Sequence, residues 1–283
     1  MGADDITIAE RIRAQLHRFT PTERRAAHSL LANYPVAGLE TVAEFARRAT
    51  VSAPTILRFV GRLGYSNYPE FQRALRDELD KQGQSPLAKS SYGGAEPDGS
   101  GPNAAFCGAL IDNLQTTFSH ISEPEFHTVA NLLGDRHRRV GVIGGRMSDA
   151  LARLFAAHLA VVRPGVMHLD GQPSNWRDLM VDYGPRDIVV VFDIRRYQED
   201  LTALAEIAAG RGATIILLTD QWLSPVSRHA RHIFSARIEV PSRWDSMTSL
   251  LGIAEALLAA VTEGRWEEAS RRIAMIDSFR RLP

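Results

Sequence analysis

Residues 41–63 read Thr41-Val42-Ala43-Glu44-Phe45-Ala46-Arg47-Arg48-Ala49-Thr50-Val51-Ser52-Ala53-Pro54-Thr55-Ile56-Leu57-Arg58-Phe59-Val60-Gly61-Arg62-Leu63. Thr41 is a hydroxyl cap for the amphipathic segment 42–49. Thr50-Val51-Ser52 leaves room only for a tight break, and Ser52 caps a second helix that Gly64 stops. Two short helices joined this closely form a helix-turn-helix unit. Helical spacing turns Phe45, Ala46, Ala49, Val51, Ile56, Phe59, Val60 and Leu63 inward, and Ala46 is small enough for a close crossing. The second helix then presents Ala53, Pro54, Thr55, Leu57, Arg58 and Arg62 outward. Small and hydroxyl-bearing side chains at its start and guanidinium groups further on suit entry into a DNA major groove. Arg47, Arg48, Ser52, Ala53, Thr55, Arg58 and Arg62 are therefore the expected DNA-binding residues. The alternative is a hairpin used only for packing, with its arginines solvated.

Upstream, Thr20-Pro21-Thr22-Glu23 places a hydroxyl cap, a first-turn proline and a glutamate at the spacing of a reciprocal capping box, ahead of a helix that ends before Pro35. Downstream, residues 82–103 are rich in Gly, Ser and Pro and poor in apolar side chains, the composition of a linker. Three units are expected: an all-α domain at 1–81, the linker at 82–103, and an α/β domain at 104–283.

In the last unit, Val140-Gly141-Val142-Ile143-Gly144-Gly145, the stretch 187–193 and the stretch 214–220 read as buried strands, each followed by a helical stretch. That alternation gives a doubly wound parallel sheet, whose ligands bind at the carboxyl ends of the strands. Gly144, Gly145, Arg146, Ser148, Asp193, Arg195, Arg196 and, in a late helix, Ser246 are the expected ligand-binding residues. Arg195 and Arg196 form an anion clamp if their guanidinium groups face the strand ends. They are structural if they pair instead with Asp193, Asp220 or Glu199.

The balance of the chain narrows the function classes. Thirty-three basic and thirty-three acidic residues give zero formal charge, so any nucleic-acid surface is local. With 45% hydrophobic and 23% charged residues the chain has enough apolar material for real cores. No apolar run reaches membrane-spanning length and the acidic start lacks a secretory pattern, so neither membrane nor export is expected. One cysteine, Cys107, excludes an intramolecular disulfide and points to a reduced, cytoplasmic setting. His229 and His232 share a face if they lie on a helix, yet no third ligand stands near them, and no metal or other cofactor is expected. No residue pattern marks a catalytic nucleophile or acid/base pair.

The segments Phe19-Thr20-Pro21-Thr22-Glu23-Arg24, Thr41-Val42-Ala43-Glu44-Phe45-Ala46, Val51-Ser52-Ala53-Pro54-Thr55-Ile56-Leu57-Arg58-Phe59 and Leu63-Gly64-Tyr65-Ser66-Asn67-Tyr68-Pro69-Glu70-Phe71 resemble the N-terminal domain of RpiR-type bacterial transcriptional regulators. The resemblance implies a C-terminal sugar isomerase (SIS) domain that binds phosphosugars. Gly144-Gly145-Arg146-Met147-Ser148 and the strand at 214–220 fit that order. The chain departs where such domains place a Ser-x-Ser-Gly-x-Thr phosphate loop: here it reads Phe192-Asp193-Ile194-Arg195-Arg196-Tyr197-Gln198. Of the hydroxyls only Ser148 carries over.

The expectation is a ligand-responsive regulator that binds a double-stranded DNA operator as a homodimer or homotetramer. Its effector is a small anion, a phosphosugar or sugar acid. The alternative is a sugar-phosphate isomerase with an accessory helical domain.

Overall fold

The computed structural model describes residues 6–83, 87 and 101–280. The N-terminal part is all helical: α1 (Ile8–Gln15), α2 (Pro21–Ala32), α3 (Val36–Leu39), α4 (Val42–Arg48), α5 (Ala53–Arg62) and α6 (Tyr68–Gly83). Thr7, Thr20 and Thr41 begin α1, α2 and α4 with reciprocal capping boxes to Glu10, Glu23 and Glu44, so the local signal in the sequence is the one the backbone obeys. Phe45, Ala46, Ala49, Ile56, Phe59, Val60 and Leu63 are buried as their spacing requires, packed with Ile8, Ile12, Leu30, Phe71 and Leu75 into one apolar core. Thr50 in the turn and Gly64 after α5 take left-handed backbone angles, φ 54° and 95°.

After α7 (Pro102–Ser119) and α8 (Glu123–Gly134) the chain alternates β1 (Val140–Gly144), α9 (Asp149–Val162), β2 (Val166–His168), α10 (Pro173–Leu179), β3 (Ile188–Asp193), α11 (Glu199–Gly210), β4 (Thr214–Asp220) and β5 (His232–Ala236). It closes with α12 (Thr248–Gly264) and α13 (Trp266–Arg280). The five strands are all parallel in the order β2-β1-β3-β4-β5. Period-two alternation feeds two cores. Val140, Val142, Val190, Phe192, Ile216 and Leu218 face α8, α9 and α12, while Ile143, Val189, Val191, Ile215 and Leu217 face α10 and α11. The strand order reverses direction between β1 and β3, which opens a crevice at their carboxyl ends.

Three expectations need correction. The expected linker has both its bounds inside helices, because α6 continues through Gln82 and Gly83 and α7 already contains Pro102 and Asn103. Its residues 84–86 and 88–100 lie outside the described residues. Ser246 precedes α12 instead of lying in it. His229 and His232 share no helix, since the first follows the 3-10 turn Pro225–Arg228 and the second opens β5. Among the described residues no group of histidine, cysteine and acidic side chains is arranged to hold a metal ion, and no helix is long and apolar enough to cross a membrane.

Candidate functional site

Two surfaces carry the expected chemistry. On the first, α5 exposes Ser52 at its start and Pro54, Leu57, Arg58, Gly61 and Arg62 along one side, with Ala53 half-buried. Thr55 is buried, against expectation: its hydroxyl lies 2.9 Å from that of Ser52 and accepts from Arg58 Nη2 at 3.3 Å. Ser52 stands at the cap position but gives its side chain to Thr55 and makes no cap bond to the backbone. Arg48 is paired with Glu40, and Arg62 with Glu23 at 3.2 Å while donating to the carbonyl of Arg18 at 2.8 Å. Arg47 is exposed at the end of α4. Leu57, 50% exposed and central on the helix, adds an apolar side chain to this face.

The second surface is a cavity of about 570 Å³ at the β1/β3 crevice, lined by Gly145, Arg146, Met147, Ser148, Asp193, Ile194, Arg195, Arg196, Gln198, Trp244, Asp245 and Met247. Six of the eight residues expected there converge. Gly144 lies behind the wall: a Cβ on it would sit 2.5 Å from the backbone of Asp149, so glycine is what lets α9 dock on the strand end. Ser246 is off the cavity, accepting from Thr248 N–H at 3.2 Å and donating to its hydroxyl at 2.9 Å. Gln198, Trp244, Asp245, Met147, Met247 and Ile194 were not anticipated. Asp245 and Trp244, the latter 63% exposed at the rim, come from an irregular segment between β5 and α12 with no periodicity to reveal it.

The polar groups divide into those that hold the loops and those that face the cavity. Ser148 is a staple. Its hydroxyl donates to the carbonyl of Phe192 at 2.7 Å and accepts from Gly145 N–H at 3.0 Å, tying the β1 loop to the end of β3. Gln198 Oε1 accepts from Arg146 N–H at 2.5 Å in the same tie. Asp193 accepts from the Ser224 hydroxyl at 2.5 Å, and Asp220 accepts from Tyr197 at 2.7 Å and from the backbone N–H of Arg195 and Trp222 at 2.5 and 3.0 Å. Burial pushes Asp193 up to about 7, with a further push from Asp220 against the pull of Ser224. Burial likewise raises Asp220 to about 6, against its hydrogen bonds.

The two adjacent arginines separate. Arg196 takes a left-handed φ of 65° and projects into solvent at the cavity wall. Arg195 is turned in, its side chain 2% exposed, with its guanidinium 4.0 Å from the centre of the Trp222 ring, 3.3 Å from Glu239 and 3.7 Å from Asp245. Of the partners named for a structural pairing, Asp220 takes only the Arg195 backbone N–H, while Glu239 and Asp245 face its side chain. Its Nε and Nη1 have no hydrogen-bond partner among the described residues. Acidic side chains occupy the helix N-termini beside the cavity, Asp149 in the first turn of α9 and Glu199 and Asp200 in that of α11, and offset the positive end of each helix dipole.

Comparison with known proteins assigns both halves. Residues 6–82 match the helix-turn-helix domain of the rpiR family and residues 133–260 the SIS domain. The HTH-type transcriptional regulator HexR of Escherichia coli is 23% identical over 248 residues, covering 85% of this chain and 80% of HexR. The bifunctional protein glk of Burkholderia orbicola is 26% identical over 288 residues, covering 95% of this chain; the chain spans only 42% of that protein's length. Among solved structures, the sugar isomerase domain of an RpiR transcription factor from Sphaerobacter thermophilus covers 62% of this chain at TM-score 0.56 and 23% identity. Vibrio vulnificus NanR, solved in complex with ManNAc-6P, covers 96% at TM-score 0.54 and 18% identity. These structural likenesses establish the shared fold.

Proposed function

With an rpiR-family helix-turn-helix domain followed by a SIS domain, the chain belongs to the RpiR-type regulators, and we propose that it is a DNA-binding regulator whose SIS cavity senses a small hydroxylated anion, a phosphosugar or sugar acid. The observation that carries the reading is the cavity's division of labour. Arg146 and Arg196 stand exposed at its wall, and Arg195 lies beneath with two unpartnered donors. Guanidinium groups take phosphate or carboxylate through paired charge-assisted bonds. Trp244 at the rim offers an apolar face for a sugar ring. NanR's complex with ManNAc-6P and the regulator HexR support the class of ligand and of activity without naming this chain's effector.

An isomerase would need a proton-transferring pair open to substrate. Asp220 is fully buried under the β3 loop and Asp193 nearly so, each held by protein donors, which suits a structural role. On the DNA side, Arg58 and Leu57 are the base-reading side chains and Arg47 a phosphate contact, in a two-fold dimer that presents paired helices to paired half-sites. The test has two arms. A thermal-shift screen of phosphosugars and sugar acids should raise the melting temperature with at least one compound. The same compound should change the protein's salt-sensitive binding to duplex DNA from its own promoter region and should not be turned over. Turnover without duplex binding would establish the isomerase instead.

A further inference from the structure

The last residue of β4 and the turn that follows it, residues 220–224, touch both halves of the protein, residue by residue. Asp220 holds the arginine loop through Tyr197 and the Arg195 backbone, and Ser224 holds Asp193. Trp222 lies under the Arg195 guanidinium. Between these, the Gln221 carbonyl accepts from the Thr7 hydroxyl at 3.4 Å, and Leu223, 1% exposed with a left-handed φ of 61°, belongs to the apolar core of the N-terminal domain with Ile8 and Ile12. Alternate residues of this short stretch therefore hold the residues that line the cavity and contact the N-terminal domain. A leucine is held in a backbone conformation that disfavours it, and its burial in the other domain's core compensates.

The same junction is clamped by charge. Glu10, which caps α1 through Thr7, also receives the Arg237 guanidinium fork, both nitrogens at 2.8 Å. Arg13, one turn on, donates to the Ser235 hydroxyl at 2.7 Å. Two residues beyond Arg237, Glu239 faces both Arg195 at 3.3 Å and Gln221 Nε2 at 3.4 Å. The route from cavity to α1 is thus continuous: Arg195 to Trp222 and Glu239, these to the turn and the strand end, and those to Thr7, Glu10 and Leu223.

We propose that the Arg195 side chain and the turn at 220–224 couple occupancy of the cavity to the seating of α1, and so to the DNA-binding domain. The inference rests on the anion-sensing reading of the same cavity. An incoming anion competes with Glu239 and Asp245 for a guanidinium whose Nε and Nη1 are unsatisfied. Drawing Arg195 toward the ligand withdraws it from Trp222, which lies within the turn, and from Glu239, which holds Gln221 of the turn. A ligand changes a distant equilibrium only through such contacts that differ between two states.

The experiment uses the full-length chain without DNA or effector, so its failure is separable from failure of the sensing reading. Amide hydrogen exchange is compared in wild type, Arg195→Ala, Arg195→Lys, Glu10→Gln and the surface control Arg271→Ala on α13, whose guanidinium pairs with Glu267 of its own helix. Coupling predicts that Arg195→Ala speeds exchange across residues 8–15 at least fivefold, with Arg195→Lys between it and wild type. Reciprocity predicts that Glu10→Gln speeds exchange across 193–198; Arg271→Ala should change neither segment. If Arg195→Ala unfolds the protein globally, Arg195→Lys and Glu10→Gln decide by the same two segments. Faster exchange at 193–198 alone in the Arg195 variants, with 8–15 at the wild-type rate, overturns the proposal.

Discussion

Arg58 and Arg62 on α5, and Arg195 and Arg196 after β3, are both arginine groups placed near an expected anion, yet they end in opposite circumstances. On α5 the helical repeat keeps both side chains out of the core, and what distinguishes them is a neighbour: Arg62 is tied to Glu23 and Arg58 is not. After β3 the chain has left regular structure, and adjacent residues part company. Arg196 goes to solvent and Arg195 goes under the loop onto Trp222. Periodicity reports which side chains face out; it does not report which of those are already spent, nor what happens where the repeat stops.

The largest expected effect tests the scaffold of the second group. Gly144→Ala forces a Cβ against the Asp149 backbone, and because backbone cannot yield as a side-chain tip does, α9 must shift. A loss of about 1–3 kcal/mol, as for overpacked cores, should appear in denaturant unfolding of the SIS domain. A variant as stable as wild type would mean the strand end is looser than its packing indicates.

Next is the contrast on α5. Arg58→Ala should cost about 1–3 kcal/mol of duplex affinity with little change in melting temperature, as for loss of a base contact. Arg62→Ala should lose stability as well, since Glu23 loses its ion pair and keeps its Thr20 cap bonds; Glu23 lies below its usual range, held there against desolvation by Thr20, by Arg62 and, less, by the charge of Arg58. Equal binding losses with equal melting temperatures would erase the distinction drawn between the two arginines.

Beneath the cavity, Asp193 and Asp220 are raised in the folded state, so the native protein holds more protons than the unfolded chain between about pH 4 and 7, and stability from these groups falls as pH rises through that window. Asp193→Asn removes the titration while keeping an oxygen for the Ser224 hydroxyl. The variant should melt higher than wild type at pH 8, by about 2–4 °C for each kcal/mol regained, and the gap should close toward pH 5. A pH-independent gap would assign the effect to packing.

The smallest expected effect concerns Arg196. A left-handed φ costs an arginine about 1 kcal/mol that glycine does not pay, though glycine's freer unfolded chain returns much of it. Arg196→Gly should therefore leave the melting temperature equal or slightly raised while weakening the response to an anionic effector. A destabilised variant would show that Arg196 has a structural partner.

Much of this architecture was legible. The Thr-x-x-Glu boxes at Thr20 and Thr41 act locally, and the apolar runs of β1, β3 and β4 are buried on both faces, so each announces itself without tertiary information. The same box opens α1 at Thr7 and Glu10. β2 and β5 are not legible because one has three residues, none of them buried, and the other opens with a histidine on a sheet edge. At the site, residues following a strand end were found by topology. Thr55 was misplaced because its hydroxyl is buried among its own turn's polar groups, and Glu239 and Asp245 were missed because their proximity to Arg195 spans more than forty residues of chain.

The most direct test of the central claim is duplex affinity measured in the full-length protein with and without a saturating concentration of whichever phosphosugar or sugar acid most raises its melting temperature. The account predicts a change of fivefold or more, the lower range of allosteric coupling, that is lost when Arg146 and Arg196 are both replaced by alanine. Stabilisation by such a compound with duplex affinity unchanged would contradict it.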